Sequence, residues 1–362
     1  MKCIRVGLIG FGFAGRVFQS NVIEAVEGLE LAAIVQRSGS EAAAAFPHAK
    51  IVPSVEALLE DASVQLVVVA TPNASHLPMA RQCLLAGRHV VIDKPFAVSS
   101  EEAAELIQLA RGRQRLLSVY QNRRWDGDFR TVRKLLEGDQ LGRLVKFESH
   151  YDRYRLAPRL HAWREDGSPG GGVLFDLGAH LVDQALVLFG VPQSVWASVR
   201  VEREGARSDD AFDLYLHYPE PLSGSAPSGL GVWLRATCLA RSPGARFTLN
   251  GTLGTFRKFG IDPQEAHLLA GDMFSSTPWG VESPEHWGTL TLDEGGEPVS
   301  TRIPTEPGDY RGYYINLRDA VHGNAALEVT PLQAWRTMRV LEMALESNRT
   351  GCTIPCDWSY EP

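Results

Sequence analysis

A glycine-rich turn near the amino terminus constrains the fold of this chain more than any other feature. Residues 4–9 read as a short apolar strand, and Gly10-Phe11-Gly12-Phe13-Ala14-Gly15 follows directly and opens a helical pattern. In that context Gly10 makes a tight turn, Gly12 lets the backbone approach a pyrophosphate, and Gly15 lets the helix pack closely. The amides at the start of the helix then attract phosphate. The segment predicts a dinucleotide-binding βαβ unit; glycines that serve only a tight turn are the alternative.

Short apolar runs alternate with helical patterns through the first 120 residues. The predicted strands are residues 4–9, 29–35, 50–53, 65–70, 89–92 and 116–120, with helices such as 75–86 and 99–111 between them. This alternation is typical of a parallel sheet covered on both faces. We therefore predict an α/β fold that begins with a doubly wound Rossmann domain over residues 1–120.

Residues 121–362 have a different pattern and predict a C-terminal α+β domain with a large, mostly antiparallel open sheet. Alternating segments predict strands at residues 144–154, 195–203, 211–218, 231–239 and 246–250. Helices are predicted at residues 173–189 and 331–348, and we expect the last helix to pack back on the first domain. Residues 262–307 are rich in Gly, Pro, Glu and Ser and predict an irregular excursion.

Charge and cysteine usage exclude several classes of partner. The net charge of -7 is spread without long blocks, so we expect neither a nucleic acid nor a membrane as partner. The five cysteines are scattered and no apolar run approaches the length of a membrane span, which favours a cytoplasmic location. The ten histidines show no metal-binding spacing, so no metal is expected.

The end of the second predicted strand bears on the choice of dinucleotide. An acid at this position would bond the ribose 2′-hydroxyl of NAD, but the strand ends on Val35-Gln36-Arg37-Ser38. Arg37 and Ser38 can instead hold a 2′-phosphate through charge-assisted hydrogen bonds. NADP(H) is favoured over NAD(H) as cofactor, and Arg37 as a solvated surface side chain is the alternative.

Polar residues follow the fourth and fifth predicted strands. Ala70-Thr71-Pro72-Asn73-Ala74-Ser75-His76 leaves one strand and Asp93-Lys94-Pro95 leaves the next. Ligands of open α/β sheets gather beyond the carboxyl ends of the strands. Lys94 is therefore expected either in the crevice between cofactor and substrate or simply in solvent.

These segments, together with Asp176-Leu177-Gly178-Ala179-His180, occur in the order and spacing of a known family. Over essentially its whole length the chain resembles the glucose-fructose oxidoreductase, inositol dehydrogenase and rhizopine catabolism (Gfo/Idh/MocA) family. Within the family it is most similar to the NADP-dependent scyllo-inositol 2-dehydrogenase subgroup, by residues 15–18, 118–126, 152–155 and 176–184. Asp93 departs from the family's usual glutamate by one methylene.

The resemblance implies roles for particular residues. Lys94 would contact the reacting oxygen of the substrate and the nicotinamide ribose, and His180 would be the base. Asp176 would bind a neighbouring hydroxyl or orient the site. The cofactor would be held by residues 10–15, Arg37, Ser38, Thr71, Pro72, Asn73, His76, Asp93 and Lys94. The bond before Pro95 is often cis in relatives, and family members pair through the open sheet, which implies a homodimer or homotetramer.

The second domain supplies the other half of the predicted site. Asp176 and His180 are four residues apart on a predicted helix and share a face, and a histidine suits removal of a hydroxyl proton. Asp183 is expected either to anchor His180 or to have a purely structural role. The predicted substrate-binding residues are Asn122, Arg123, Tyr151, Arg153 and Trp163, with cross-strand pairs or subunit contacts as the alternative for the tyrosine and arginine residues.

The chain is thus expected to be a dehydrogenase or reductase that acts on CH–OH groups with NADP(H). Its substrate would be a small polyol or keto-sugar: a cyclitol or sugar secondary alcohol and its ketone, with scyllo-inositol favoured. Alternatives are another sugar or ketone, NAD-dependent glycoside hydrolysis, or a non-catalytic nucleotide-dependent regulator. The combination of Lys94, Asp176 and His180 argues against the regulator, since a pure binder does not need all three.

Overall fold

The computed structural model describes residues 3–219, 229–275 and 278–362, and its first sheet is parallel with six strands. The strands are β1 (Ile4–Ile9), β2 (Leu29–Val35), β3 (Lys50–Val52), β4 (Leu66–Val69), β5 (His89–Ile92) and β6 (Leu117–Val119). Their order, β3-β2-β1-β4-β5-β6, is that of the doubly wound dinucleotide fold. The predicted Rossmann sheet is confirmed.

Short helices connect these strands. A π-helical segment, Gly15–Gln19, continues into α1 (Ser20–Glu24), followed by α2 (Glu41–Ala45), α3 (Val55–Leu59), the 3-10 turn Asn73–Ser75 with α4 (His76–Leu85), and α5 (Ser100–Gly112). The Ser99 side chain caps α5 by accepting from the amide of Glu102 at 3.3 Å, and acids follow in the first helical turn, where they complement the helix dipole.

Among the described residues, the second sheet has nine strands and is antiparallel except where β7 and β10 pair in parallel. Its strands are β7 (Leu144–His150), β8 (Ser194–Arg200), β9 (Ala211–Tyr218), β10 (Leu230–Thr237), β11 (Phe247–Gly251), β12 (Gly254–Lys258), β13 (Gly288–Glu294), β14 (Glu297–Ile303) and β15 (Ile354–Pro355). Their order is β14-β13-β12-β11-β7-β10-β9-β8-β15. The mostly antiparallel sheet that the sequence predicts is therefore confirmed.

The prediction of an irregular excursion over residues 262–307 is wrong for most of its length. It contains α8 (Gln264–Ala270), a 3-10 turn (Pro284–His286) and the hairpin β13–β14, which extends the second sheet at its edge. β14 is exposed at nearly every position, so it lacks the apolar alternation by which a strand is recognised. Positions 276 and 277 of this segment lie outside the described residues.

The remaining helices cover the second sheet or return to the first. They are the 3-10 turn Asn122–Trp125, α6 (Gly127–Glu137), the π-helical segment Leu174–Gly178 with α7 (Ala179–Phe189), α9 (Arg311–Val321) and α10 (Pro331–Thr350). Helices α7 and α10 pack together and against the sheet. Within the described residues, no helix is long and apolar enough to cross a membrane.

The chain after residue 309 packs against the first sheet as well as the second. The hydroxyl of Tyr313 donates to Ser118 at 2.9 Å, and the indole of Trp335 donates to the carbonyl of Ser100 at 3.0 Å. One apolar cluster joins Val67 of the first sheet, Leu341 of α10 and Leu234 of the second sheet. The two sheets are therefore joined by closely packed helices and a shared apolar cluster.

Candidate active site

The strand order of the first sheet reverses between β1 and β4, and this is where the glycine turn lies. The amide of Ala70 donates to the carbonyl of Ile9 at 2.8 Å, so the ends of the two strands are held side by side. Gly10 has φ +95°, which an L side chain rarely adopts. Open α/β sheets bind nucleotides at such a switch point.

The other two glycines of the turn differ in a way that fits a dinucleotide. A Cβ on Gly15 would lie 2.1 Å from the carbonyl oxygen of Gly10, so close packing of the turn requires this glycine. A Cβ on Gly12 would meet nothing within 4 Å, so the protein itself does not require glycine there. A phosphate that approaches the backbone does require it. The amides of residues 12–15 would hold the pyrophosphate.

The aromatic residues of the turn face in different directions. The ring of Phe11 packs edge-on against Phe46 at a centroid distance of 6.0 Å. Phe13 is about half exposed, lies 5.9 Å from the ring of Phe18, and lines the cavity described below together with Ala14. The turn thus borders both the switch point of the first sheet and this cavity.

Arg37 and Ser38 lie immediately beyond β2, and both are exposed. Gln36 fixes the loop before them by donating to Glu41 at 2.6 Å and accepting from the amide of Ala42 at 3.0 Å. Neither Arg37 nor Ser38 uses its side chain in a hydrogen bond to any residue that the structure describes. Both are available to a ligand at the end of β2.

Residues 71–76 form a braced turn beyond β4. His76 is fully buried, with Nδ1 3.0 Å from the carbonyl oxygen of Pro95 and Nε2 2.9 Å from that of Thr71. Burial lowers the pKa of His76. Asn73 donates to the carbonyl of Gly170 at 2.8 Å, while Pro72 is exposed. His76 therefore ties the ends of β4 and β5 together, and Thr71 and Pro72, which are not fully buried, are candidates for contact with a cofactor.

Asp93 and Lys94, which follow β5, both line the cavity described below but have different hydrogen-bond partners. Asp93 is buried and its Oδ1 accepts from Nε2 of Gln19 at 2.9 Å, which ties β5 to the helix that follows the glycine turn. Burial raises the pKa of Asp93, and the positive charge of Lys94 partly opposes this. Lys94 points into the cavity, and the Lys94–Pro95 peptide bond is cis.

Lys94 and Asp176 form the closest contact between the two halves of the predicted site. Nζ of Lys94 donates to Oδ1 of Asp176 at 2.8 Å and to its main-chain carbonyl at 2.6 Å. Nε of Arg164 lies 3.2 Å from the same Oδ1, and Arg153 lies 4.0 Å from Oδ2. Three cations therefore surround one carboxylate, which fixes Lys94 where β5 ends.

These charges set the protonation states of the site. Burial alone would raise the pKa of Asp176, but the charges of Lys94, Arg164 and Arg153 outweigh it and hold this pKa far below its usual range. Burial lowers the pKa of Lys94, against the attraction of Asp176. Burial and then the charge of Lys94 lower the pKa of His180 well below its ordinary value. His180 is therefore a neutral imidazole near pH 7, able to accept a proton.

The segment that carries Asp176 and His180 is anchored at its start. The carboxylate of Asp209 accepts from the amide of Leu174 at 2.7 Å, and its main-chain carbonyl accepts from that of Val173 at 2.9 Å. Burial raises the pKa of Asp209 to about 6. Asp183 accepts from Arg124 through both carboxylate oxygens at 2.7 Å, so of the two roles open for it the structural one holds.

A cavity of about 300 Å³ joins both halves of the site. It is lined by Phe13, Ala14, Phe18, Asp93, Lys94, Tyr120, Asn122, Arg123, Arg153, Arg155, Arg159, Ala162, Arg164, Asp176, Leu177, His180 and Glu265. Nδ1 of His180 and the hydroxyl of Tyr120 are buried and have no hydrogen-bond partner among the described residues. Buried polar atoms of this kind normally bind something, which makes them candidates for contact with a substrate hydroxyl.

The predicted substrate-binding residues lie at different depths. Asn122 and Arg123 line the cavity, and Arg123 is paired with Glu265 at 2.5 Å and with Asp126 at 3.3 Å. Tyr151 is buried beneath three guanidinium groups, those of Arg123, Arg153 and Arg246 at 4.9, 5.9 and 4.5 Å from its ring centroid. Trp163 stacks with Arg164 at 4.5 Å and so influences the cavity through that arginine.

Sequence reasoning missed several cavity residues, chiefly Arg155, Arg159, Arg164 and Glu265. The density of arginine between residues 153 and 164 was the available signal for the first three. Glu265 gave none, because it comes from the segment interpreted as irregular; in the structure it lines the cavity and pairs with Arg123.

The parts of the site add up to a definite class of protein. A glycine turn at the switch point of a Rossmann sheet, a lysine held by a carboxylate and a buried neutral histidine together define a nicotinamide-dependent oxidoreductase.

Comparison with known proteins agrees with this class and gives the family. Residues 4–121 match the model "Oxidoreductase family, NAD-binding Rossmann fold", and residues 133–355 match "Oxidoreductase family, C-terminal alpha/beta domain". The chain belongs to the Gfo/Idh/MocA oxidoreductase family.

Individual relatives extend over nearly the whole chain. The oxidoreductase YdgJ of Escherichia coli is 40% identical over 97% of this chain and 98% of its own length. The scyllo-inositol 2-dehydrogenase (NADP(+)) IolW of Bacillus subtilis is 35% identical over 97% of this chain and 95% of its own. The solved structure of the oxidoreductase yvaA from Bacillus subtilis has a TM-score of 0.93 and 34% identity over 98% of this chain and 99% of its own.

Proposed function

We propose that this oxidoreductase uses NADP(H) to interconvert a secondary alcohol of a cyclitol or sugar and the corresponding ketone, with Lys94, Asp176 and His180 as its catalytic residues. The observation that carries the proposal is that these three residues, from two parts of the chain, line one cavity next to the glycine turn. Scyllo-inositol is the favoured neutral substrate, because the relative IolW is named for it.

The side chains divide the chemistry between them. A bound nicotinamide supplies the hydride acceptor or donor. The ammonium group of Lys94, held by Asp176, polarises the reacting oxygen and lowers the pKa of the alcohol. Neutral His180 takes the hydroxyl proton during oxidation and returns it during reduction. Asp176, ionised throughout the working pH range, keeps Lys94 charged and can accept from a neighbouring hydroxyl.

The proposed preference for NADP(H) depends on the end of β2. Positions 36–38, which follow β2, are Gln, Arg and Ser rather than an acid, and the exposed Arg37 and Ser38 are available to a 2′-phosphate. The name of IolW, which specifies NADP(+), supports the same choice.

A spectrophotometric screen tests the proposal directly. Purified protein is mixed with NADP⁺ or NAD⁺ and a panel of inositol isomers and monosaccharides, and formation of the reduced nicotinamide is followed by its absorbance. We expect reduction of NADP⁺ with at least one polyol, and loss of that signal in Lys94→Ala. Glycoside cleavage without net reduction would instead support the hydrolase alternative.

We also propose that the protein forms a homodimer or homotetramer through the open face of the second sheet. Trp196, Tyr215 and Trp233 form an aromatic group there, with ring centroids 6.5 Å apart for the two tryptophans and 4.5 Å apart for Tyr215 and Trp233. Light scattering should give the molecular mass of a dimer or tetramer. Trp233→Glu should lower the measured mass to that of a smaller assembly. A wild-type monomer at micromolar concentration would contradict this proposal.

A further inference from the structure

The catalytic cavity carries more positive than negative charge. Six cationic side chains line it, Lys94, Arg123, Arg153, Arg155, Arg159 and Arg164, against three acidic ones, Asp93, Asp176 and Glu265. A neutral polyol needs hydrogen-bond partners but no excess of full charge. Like charges grouped around a partly enclosed space repel one another, and an anionic ligand relieves that repulsion. The excess therefore suggests an anionic group on the ligand.

The excess is concentrated on the segment from Arg153 to Arg159. Arg123 is paired with two acids, Asp126 and Glu265. Lys94, Arg164 and Arg153 share the single carboxylate of Asp176. The guanidinium group of Arg155, by contrast, has no hydrogen bond or ion pair to any residue of the described ranges. Arg159 must share its acidic partner, Glu165, with Arg203.

The arginines of this segment are close enough to influence one another. The pKa of Arg155 is lowered, first by its partial burial and then by the charges of Arg153 and Arg159. Arg153 also faces Asp176, so the group extends directly from the catalytic lysine pair. A substrate whose alcohol lies at Lys94 can therefore place a second group among these guanidinium groups.

The backbone of this segment is held in place by hydrogen bonds from the rest of the second domain. Arg203 is buried and donates to Asp210 at 2.9 Å and to Glu165 at 3.0 Å, and to the carbonyls of Arg155 and Ala157 at 3.4 Å. The amide of Arg155 donates to the carbonyl of Cys238 at 2.8 Å. The cationic side chains thus project from a backbone that is already fixed.

There is also room for a larger substituent. A neighbouring cavity of about 650 Å³ shares Arg153, Arg155 and Glu265 with the catalytic cavity. The shared arginines stand between the two spaces, so a group bound by them need not crowd the reacting carbon.

We propose that Arg153, Arg155 and Arg159 bind a carboxylate or phosphate group of the substrate. This inference rests on the proposed function and narrows it to an acidic polyol or keto-sugar, preferred over scyllo-inositol itself. The pyrophosphate of the cofactor is the other source of the same anionic chemistry, since Phe13 and Ala14 of the glycine turn line the same cavity.

Calorimetric titration of the protein–NADPH complex tests the proposal without turnover. The probes are D-glucuronate against D-glucose, and myo-inositol 1-phosphate against myo-inositol. We expect the acidic member of at least one pair to bind about 10-fold or more tightly, and Arg155→Gln to remove most of that preference, because charge-assisted hydrogen bonds to the anion are lost. Arg155→Lys should retain part of it.

A matched control removes the same charge elsewhere. Arg81→Gln alters an exposed surface pair with Glu105 and should leave the acid preference unchanged. Equal binding of acidic and neutral probes, or no binding of either acidic probe, would overturn the proposal. So would a loss of NADPH affinity in Arg155→Gln with the acid preference intact, which would assign the arginines to the cofactor. Lack of turnover with every polyol would instead count against the proposed function alone.

Discussion

The nucleotide crevice, formed by residues 10–15, 70–76 and 93–95, and the cationic segment, residues 151–165, meet at Lys94 but are built differently. In the crevice the atoms proposed to bind the cofactor belong mainly to the backbone. Buried side chains such as His76 hold that backbone in position by hydrogen bonds to main-chain carbonyls. In the cationic segment the atoms proposed to bind the substrate are the guanidinium groups of long side chains, such as Arg155 and Arg164. The crevice is therefore suited to contacts with a phosphate backbone, and the segment to contacts with charged substituents.

The same contrast predicts how each region responds to substitution. The closely packed backbone of the crevice is sensitive to one added methyl group, because its atoms cannot move aside. The cationic segment should lose ligand affinity gradually as single side chains are removed. Substitutions on the two sides should therefore differ in kind as well as in size.

The largest effect is expected from a methyl group placed within the crevice. Gly15→Ala would bring a Cβ to 2.1 Å from the carbonyl oxygen of Gly10, so the turn and the first strand must shift. We expect the melting temperature to fall by about 4 °C or more, or the soluble protein to be lost, since overpacking of this kind costs about 1 to 3 kcal/mol or more.

Gly12→Ala is the matched control, because its Cβ meets nothing within 4 Å. This variant should melt within about 1 °C of the wild type and yet bind NADPH at least about 10-fold more weakly, by fluorescence titration. If both variants melted normally, the close packing of the turn would not be needed. If Gly12→Ala bound NADPH normally, the pyrophosphate would lie elsewhere.

Lys94, where the two regions meet, should carry the largest effect on activity. Lys94→Ala removes the charge that polarises the substrate oxygen and leaves Asp176 without its closest partner. We expect kcat to fall by about 10³-fold, in the range found when a transition-state hydrogen-bond donor is removed. NADPH affinity, measured by titration, should change far less.

Lys94→Arg keeps the charge and should recover part of the lost rate, which separates charge from position. A wild-type rate in Lys94→Ala would refute the assigned role, and a loss of NADPH affinity equal to the loss of rate would make Lys94 a cofactor ligand only.

The crevice was predictable from the sequence because its residues are local. The turn at residues 10–15 and the ends of β4 and β5 follow from strand periodicity and glycine spacing, and the six strands lie where predicted within a residue or two. Lys94 and Asp176 could be paired only through the family resemblance, since they are 82 residues apart.

The cationic segment was not predictable in the same way. Its arginines are positioned by Arg203 and Asp210, more than 35 residues further along the chain, and by pairing with strands of the second sheet. Asp93, where the family usually has glutamate, also needed the structure: its short carboxylate meets the long side chain of Gln19.

An intermediate effect, visible mainly in its pH dependence, is expected from His180. Because its pKa lies well below the usual 6.5, the neutral base persists at lower pH, and alcohol oxidation should stay constant down through pH 6.5 before it declines. Lys94 acts in its charged form, and its pKa is lowered from 10.5, so activity should be lost again on the alkaline side before pH 10.5.

His180→Asn should lower kcat by about 10²-fold and remove the acidic limb of the profile while leaving the alkaline limb. Lys94→Arg should remove the alkaline limb of the profile and leave the acidic limb. A wild-type profile whose acidic limb is centred at or above pH 6.5 would contradict the neutral, buried imidazole.

The smallest effect is expected at the end of β2, beside the nucleotide crevice. Here the proposed contact with the cofactor is made by a side chain and not by backbone amides. Arg37→Ala removes an exposed guanidinium group that has no partner among the described residues, so folding should be unaffected. If Arg37 binds the 2′-phosphate, NADPH affinity should fall by about 10-fold, the value of one charge-assisted hydrogen bond, while NADH affinity stays the same.

Ser38→Ala should also lower NADPH affinity, but by less than Arg37→Ala. Because NADH lacks the 2′-phosphate, the ratio of the two affinities isolates this contact from any general change in the crevice. An unchanged ratio in both variants would leave the end of β2 without a part in cofactor choice, and the crevice would then be a backbone site throughout.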